Sequence, residues 1–444
     1  MIKTKTLLRT ITVVAAGFIA CWAQTAQGST VQVGGCKTGL TNFTTIQAAV
    51  NAVPPGSTIF VCPGTYPEQV TIAGPGLDNT TLIGVAVTSM GVTTDAAVIV
   101  PPSGGLAANG TIFDSDGTPG RAALPQVLVL NASNVTISHI TVDGESNQSC
   151  GAGLLVGIYY QDSSGTVTSS VARNQNEGGG NGDQCGFGIL TESDGGGVGS
   201  NPTLTVSSSS VHNFQKNGIV ARGNASSGNP GTGPVLSATG NTVIGVGPVP
   251  GNAAQNGIEI AFGATGSVKG NYVADVLYSN NSSSGTGILF YATSGAPVAS
   301  SNTVDSANIG IGVNYDPGFG GGGNVAAING NHIGGSQMDE GIDLCGNAET
   351  AESNVIYSST VAGVFLDNTC GGSSGSNDTV KSNTINEACA GILLGSGNGN
   401  SIGSNTYAND TYEMLLGDSC PPAAASVKAN LAGSSTGQHA KSRP

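Results

Sequence analysis

One phrase returns along this chain and leaves few folds open to it. An Asn opens a short apolar strand, a few polar residues turn a corner, and Gly-Ile-x-apolar opens the next strand. The phrase is plainest at Asn383-Thr384-Ile385 followed by Gly391-Ile392-Leu393-Leu394. Its Asn recurs at Asn241, Asn271, Asn302, Asn331, Asn354, Asn383 and Asn405, at intervals of 30, 31, 29, 23, 29 and 22 residues. Its Gly recurs at Gly153, Gly188, Gly218, Gly257, Gly287, Gly310, Gly341, Gly363 and Gly391, at intervals of 22 to 39. A short minimum interval with variable insertions predicts a solenoid whose repeats are single turns of chain and whose insertions bulge from the corners.

The strands are short, alternate with period two, and are punctuated by Gly, Asn and Ser. Ile219 and Ala221, Ile258 and Ile260, Ile288 and Phe290, Ile342 and Leu344 are expected to point inward, and their neighbours outward. One turn cannot bury its inner face alone, so turns must stack, about 4.8 Å apart. A recurring Asn suits a bend that needs the left-handed conformation, and its amide can bond the Asn above. The predicted fold is all-β: a single-stranded right-handed parallel β-helix over residues 29–420. With 71 Gly in 444 residues and only 9% charged residues, such a chain would suit disorder, but 38% hydrophobic content in regular short strands argues against that.

Residues 1–28 read as a secretory signal peptide: Lys3, Lys5 and Arg9, then an apolar run from Ile11 to Ala23 that is too short to span a membrane. Acylation of Cys21 is a minority alternative, because Phe18-Ile19-Ala20 is a poor lipobox. The expected location is therefore secreted, periplasmic or cell-surface. Removing the signal leaves eight cysteines, which implies disulfides in an exported protein. Stacking suggests the pairs Cys36–Cys62, Cys150–Cys185, Cys345–Cys370 and Cys389–Cys420. The alternative, metal binding, lacks a C-x-x-C or Cys/His cluster. Residues 421–444, which open with Pro421-Pro422, are expected to form a disordered tail.

The segment Phe43-TTIQAAVNAVPPGSTIFVCPGTYPEQVTI-Ala73 predicts a short helix over residues 43–53 that caps the solenoid. Strands are expected at Thr58–Val61 and Gln69–Ile72, around a turn at Pro63-Gly64-Thr65-Tyr66. Ser103 to Pro125 reads as an extended loop. This entry segment and the repeats behind it resemble the pectin lyase-like superfamily, including pectin methylesterases and bacterial right-handed β-helix repeat proteins. The resemblance implies the architecture. It does not fix an activity, because the superfamily holds lyases, hydrolases, esterases, epimerases and adhesins. The Gln-Asp set of pectin methylesterases and the Asn-Thr-Asp, Asp-Asp and His-Gly set of polygalacturonases are not found. Asn314-Tyr315-Asp316-Pro317-Gly318 is similar to the Asp-Pro-His segment of alginate C5-epimerases, but Gly318 stands where the His belongs.

A net charge of −14 argues against nucleic acid and acidic membrane surfaces as partners, and a monomer is expected. Arg222 and Glu192, each four residues after a recurring Gly, should share an outward column, with Glu259 diagonal to them and Tyr291 continuing the column. An Arg between carboxylates could serve as base or charge clamp at a uronate, with Glu192 and Glu259 orienting and Tyr291 or Tyr160 stacking on a ring. The plainer reading is a cross-strand ion pair on a solvated sheet. Asp339, Glu340 and Asp343, near Asp316 and Asp367, are hard oxygen ligands that would suit calcium, although their spacing matches no dedicated calcium loop. His139, His212 and His332 are scattered over different turns and are expected to be structural. Two functions stay open: polysaccharide binding, with lyase or epimerase chemistry on uronate glycans, and a non-catalytic structural or adhesin-like module.

Overall fold

In a computed structural model, the described residues are 27–89, 92–94, 96–112, 120–146, 148–177, 185–193, 201–224, 233–248, 254–279, 284–316, 325–368 and 375–421. All but the last two residues of the expected signal peptide, most of the expected tail, and Cys370 lie outside them. The strands stack into three long sheets, parallel in register apart from one antiparallel edge pair, and form a right-handed parallel β-helix. Each turn of the regular array visits sheet A, sheet B and sheet C in order. One such turn is Val235–Thr239, Thr242–Ile244 and Asn256–Ala261.

The interior is a set of stacked columns. Ile158, Ile189, Ile219, Ile258, Ile288, Ile311, Ile342, Val364 and Ile392 follow one another through sheet C in unbroken register, all essentially without exposure. Beside this column runs a column of glycine: Gly188, Gly218, Gly257, Gly287, Gly310, Gly341, Gly363 and Gly391. A Cβ on Gly287 would lie 2.4 Å from Val304 Cγ1 and 2.7 Å from the Gly310 carbonyl oxygen, so no side chain fits. Towards the N-terminus the column continues through Gly157, not Gly153. Val156 pairs with Phe187, which places Gly157 beside Gly188, whereas Gly153 precedes the strand at φ 155°.

At the corner from sheet A to sheet B the seven asparagines form a ladder. Asn302 shows the unit: its Oδ1 accepts from both the backbone N–H and the Nδ2 of Asn271, and its Nδ2 donates to Val268 O and Asn331 Oδ1, at 2.9–3.0 Å. The first six are at most 1% exposed, and each buried amide is paired. The left-handed residue of this bend is not the Asn, as expected from sequence, but the residue before it: Gly240, Gly270, Ser301, Gly330, Ser353 and Ser382 all have φ of 55–64°. The Asn is spared that strain and keeps its side chain aimed along the axis. Ser209 and Ser170 extend the ladder one hydroxyl at a time towards Ile140.

The N-terminal end is closed by the helix Ile46–Ala52, which buries Ile46, Ala49 and Val50. Thr45 caps it, and the Glu68 carboxylate accepts the N–H groups of Ile46 and Gln47. Two local expectations are corrected. Gly64–Pro67 is a strand of sheet B paired with Ala97–Val100, not a turn, since sheet B needs a first strand there. Ala122–Pro125 belong to the long strand Ala122–Leu130 rather than to a loop. Three of the four expected disulfides are formed: Cys36–Cys62, Cys150–Cys185 and Cys389–Cys420. Cys345 is also disulfide-bonded, and its expected partner Cys370 lies outside the described residues. No helix among the described residues is long and apolar enough to cross a membrane.

Candidate functional site

The outer face of sheet C collects the chemistry. Its register places Gln161, Glu192, Arg222, Ala261, Tyr291 and Asn314 in one outward column, and Leu190, Val220, Glu259 and Leu289 in the next. The column expected from sequence is therefore present, and Glu259 is diagonal to Arg222 as expected. Glu192 is fully buried. Its Oε1 lies 3.8 Å from an Arg222 guanidinium nitrogen, and its Oε2 lies 2.7 Å from the Tyr159 hydroxyl. That hydroxyl also lies 2.6 Å from the Thr111 carbonyl oxygen, and its one proton serves one of the two acceptors at a time. Burial first, and then Glu192, hold the Tyr159 phenol well above its ordinary range.

Arg222 is held on its other side by the Phe262 ring, 5.1 Å from centroid to guanidinium carbon. Phe262 meets Tyr291 edge to face at 5.4 Å, and Tyr291 donates to Asp316 Oδ2 at 2.6 Å. Glu259 accepts from Asn217 and Asn256, at 2.9 and 2.7 Å through a single carboxylate oxygen. Sequence reasoning missed Lys216. Its ammonium donates to the Ala254 carbonyl at 2.7 Å, and burial first, with Arg222 also acting against it, lowers its pKa although Glu259 acts the other way. The signal available was position: Lys216 lies two residues before Gly218, at the entry to sheet C.

Tyr160 does not belong to this face. It points inward, is fully buried, and its hydroxyl reaches Val135 O at 3.0 Å, so it cannot stack on a ligand. The alternation of the strand sends the outward position to Tyr159.

A second carboxyl group of residues sits further along the same face. Glu340 and Asp343 are half-buried on Met338–Cys345, and Asp367 is buried on the next turn. Burial, then Asp367 and Asp339, raise Glu340 to about 7. Burial, then Glu340 and Asp367, raise Asp343 well above the carboxylate range. Asp339 instead turns to accept from Thr360 at 2.9 Å. The expected calcium set of Asp339, Glu340 and Asp343 does not assemble: among the described residues no three His, Cys, Asp or Glu side chains converge as metal ligands. Four strand spacings separate Arg222 from this acid group, about 19 Å along the axis. A cavity of about 620 Å³ lies on the side to which Asp339 turns, lined by Thr360, Glu387, Asn409, Thr411 and Pro421 among others but by none of Glu340, Asp343 and Asp367.

No protein-family model matches the chain, and no curated protein matches it. The fold matches solved structures. The lacto-N-biosidase of family GH136 from Eubacterium ramulus superposes with a TM-score of 0.58 at 10% identity, covering 86% of this chain and 68% of that one. The native form of that enzyme gives 0.51 at 10% identity, over 87% and 68% of the two chains. The A-module of the mannuronan C-5 epimerase AlgE4 from Azotobacter vinelandii gives 0.45 at 15% identity, over 84% and 92%. At such identities the likeness to the lacto-N-biosidase shows the fold alone, a right-handed parallel β-helix.

Proposed function

We propose that this protein binds a uronate-containing polysaccharide along the outer face of sheet C and cleaves or epimerises it by proton transfer at the sugar ring. The observation that carries the reading is that Lys216 lies within electrostatic reach of both Arg222 and Glu259 in a chain of net charge −14. Two cations on one face of an acidic body suit an anionic sugar. Arg222, steadied by Glu192 and Phe262, clamps the uronate carboxylate. Lys216, whose burial favours the neutral amine, takes the proton from C5. The resulting C5 carbanion has two fates: departure of the C4 oxygen, which takes a proton from solvent, leaves a C4=C5 bond, whereas return of a proton to C5 from the opposite face, with the C4–O bond intact, gives the epimer. Tyr291 offers an aromatic wall, and export with disulfides fits a polymer substrate outside the cell.

A second reading, hydrolysis of a glycosidic bond, is favoured by one observation: burial and mutual repulsion raise Glu340 to about 7 and push Asp343 well above the carboxylate range. Such a carboxyl can protonate a leaving oxygen while an ionised neighbour activates water. The test is a panel of uronate and neutral glycans followed both by absorbance near 235 nm and by new reducing ends. Absorbance lost in Lys216→Ala supports elimination. Reducing ends without absorbance, lost in Glu340→Gln, support hydrolysis. Neither signal on any glycan, with no proton exchange at C5, leaves the non-catalytic module.

A further inference from the structure

Sheet B, on another face of the helix, carries a stripe that the chemistry above does not use. Its outward column runs Thr242, Tyr272, Thr303, His332, Val355 and Thr384 in continuous register. Tyr272 and Val355 are each 40% exposed, and His332 is exposed. Tyr357 joins them from the adjacent column. It lies over Gly334 of the preceding turn, where a Cβ would come within 2.3–2.4 Å of three of its ring carbons, so the ring rests on bare backbone. Its centroid is 5.2 Å from that of His332. Asp305 sits between the two tyrosines: burial, then Asp305, raise the phenols of both Tyr272 and Tyr357, and Ser306 Oγ lies 3.2 Å from Asp305 Oδ1.

We infer that this stripe is a second glycan-binding site, non-catalytic and selective for a neutral polysaccharide lying along the helix axis. Aromatics make up 5% of the chain, yet three ring residues, Tyr272, His332 and Tyr357, fall on one solvated sheet face within four consecutive turns. Rings with an apolar body and a polar rim, set among threonine hydroxyls and one acceptor carboxylate, match the alternating C–H and O–H surface of a sugar. Charge selects the class. The outward column of the stripe carries no Lys or Arg to hold a polyanion, and Asp305 repels one while it offers an acceptor to the hydroxyls of an uncharged chain. Tyr272 and Tyr357 are three turns apart, and the Tyr357 ring leans back one, so the rings stand about 10 Å apart, the reach of two or three sugar rings. The site is independent of the sheet C reading and survives its failure.

The test is affinity electrophoresis of the mature protein in gels containing hydroxyethylcellulose, xyloglucan, glucomannan or polygalacturonate. At least one neutral polymer retards the protein, Tyr272→Ala/Tyr357→Ala loses at least tenfold in apparent affinity, and Lys216→Ala and Glu340→Gln keep it. Both tyrosines lie at the surface, so the melting temperature of the double variant stays near wild type. Tyrosine fluorescence of the unmodified protein changes as the polymer is added. Three results overturn the inference: no retardation by any neutral polymer, an unaffected double variant, or equal binding of polygalacturonate through the same tyrosines.

Discussion

Arg222 stands directly opposite Glu192 on the neighbouring strand, and their charged atoms come within 3.8 Å where Glu192 has no exposure at all. Removing the cation strands a buried carboxylate. Arg222→Ala is expected to cost about 3 kcal/mol of stability, and replacing both residues by Leu to cost less than the single change. Urea unfolding of the single and double variants decides this. A double variant whose cost equals the sum of the costs of Arg222→Leu and Glu192→Leu would mean that the pair is not coupled. Catalytic tests at this position should therefore use Arg222→Lys, which keeps the charge.

The asparagine ladder predicts a gradient. Asn302→Ala leaves the Asn271 N–H and Nδ2 without their shared acceptor and removes the side-chain donor to Asn331 Oδ1 and Val268 O, all away from water, while the backbone N–H of residue 302 still serves Asn331. A loss of several kcal/mol is expected, at about 1–3 kcal/mol for each unpaired buried group. Asn405, at the last rung, accepts from Asn383 and donates to Val380 O and Gly403 O where water can reach, and Asn405→Ala should cost about 1 kcal/mol. Matched thermal melts of the two variants would reveal the difference.

Glycine is needed in the column beside the core but not everywhere on sheet C. Gly287→Ala places a Cβ 2.4 Å from Val304 and should prevent a stable fold or lower the melting point sharply. Gly312→Ala meets only ordinary contacts from 3.4 Å outward and should be tolerated. Soluble yield and thermal melts would compare them, and a tolerated Gly287→Ala would contradict the packing described.

Stability should fall as pH rises. Glu349 and Asp378 are fully buried at the corner from sheet C to sheet A. Burial, then Asp378 and Asp343, raise Glu349 well above its ordinary value. Burial raises Asp378 to about 7 although two backbone N–H groups oppose the shift. The folded state thus holds protons that the unfolded chain has released, and stability is lost between about pH 4, the unfolded value, and about pH 7, the folded value of Asp378. Asp378→Asn should flatten the profile, because Asn400 fills the equivalent place one turn later and accepts the Asp378 N–H. Melting temperatures from pH 4 to 8 for both proteins provide the check, and a slope unchanged in the variant would assign it elsewhere.

The stacking was legible because solenoid contacts repeat. Once Gly188, Gly218 and Gly257 are aligned, the outward column of Glu192 and Arg222 and the diagonal Glu259 follow by counting along strands. Counting fails where the chain leaves the strands. Lys216 reaches the site from a corner, through a backbone carbonyl at Ala254 that no period announces. Tyr160 was misplaced because adjacent tyrosines give parity no sign of which faces in, and Val156 and Ile158 had to be set in register first. The acid group near Glu340 looked like a metal site because composition shows carboxylates but not their directions. Asp339 turns away to Thr360, and Asp367 arrives from the next turn.

The most direct test is the initial rate of absorbance change near 235 nm on polygalacturonate, alginate and glucuronan, for the wild type, Lys216→Ala and Arg222→Lys. The account predicts a rise on at least one polymer, at least a hundredfold slower in Lys216→Ala and weakened through KM in Arg222→Lys. Turnover that persists unchanged in Lys216→Ala, or no turnover and no exchange at C5 on any of the three, would contradict it.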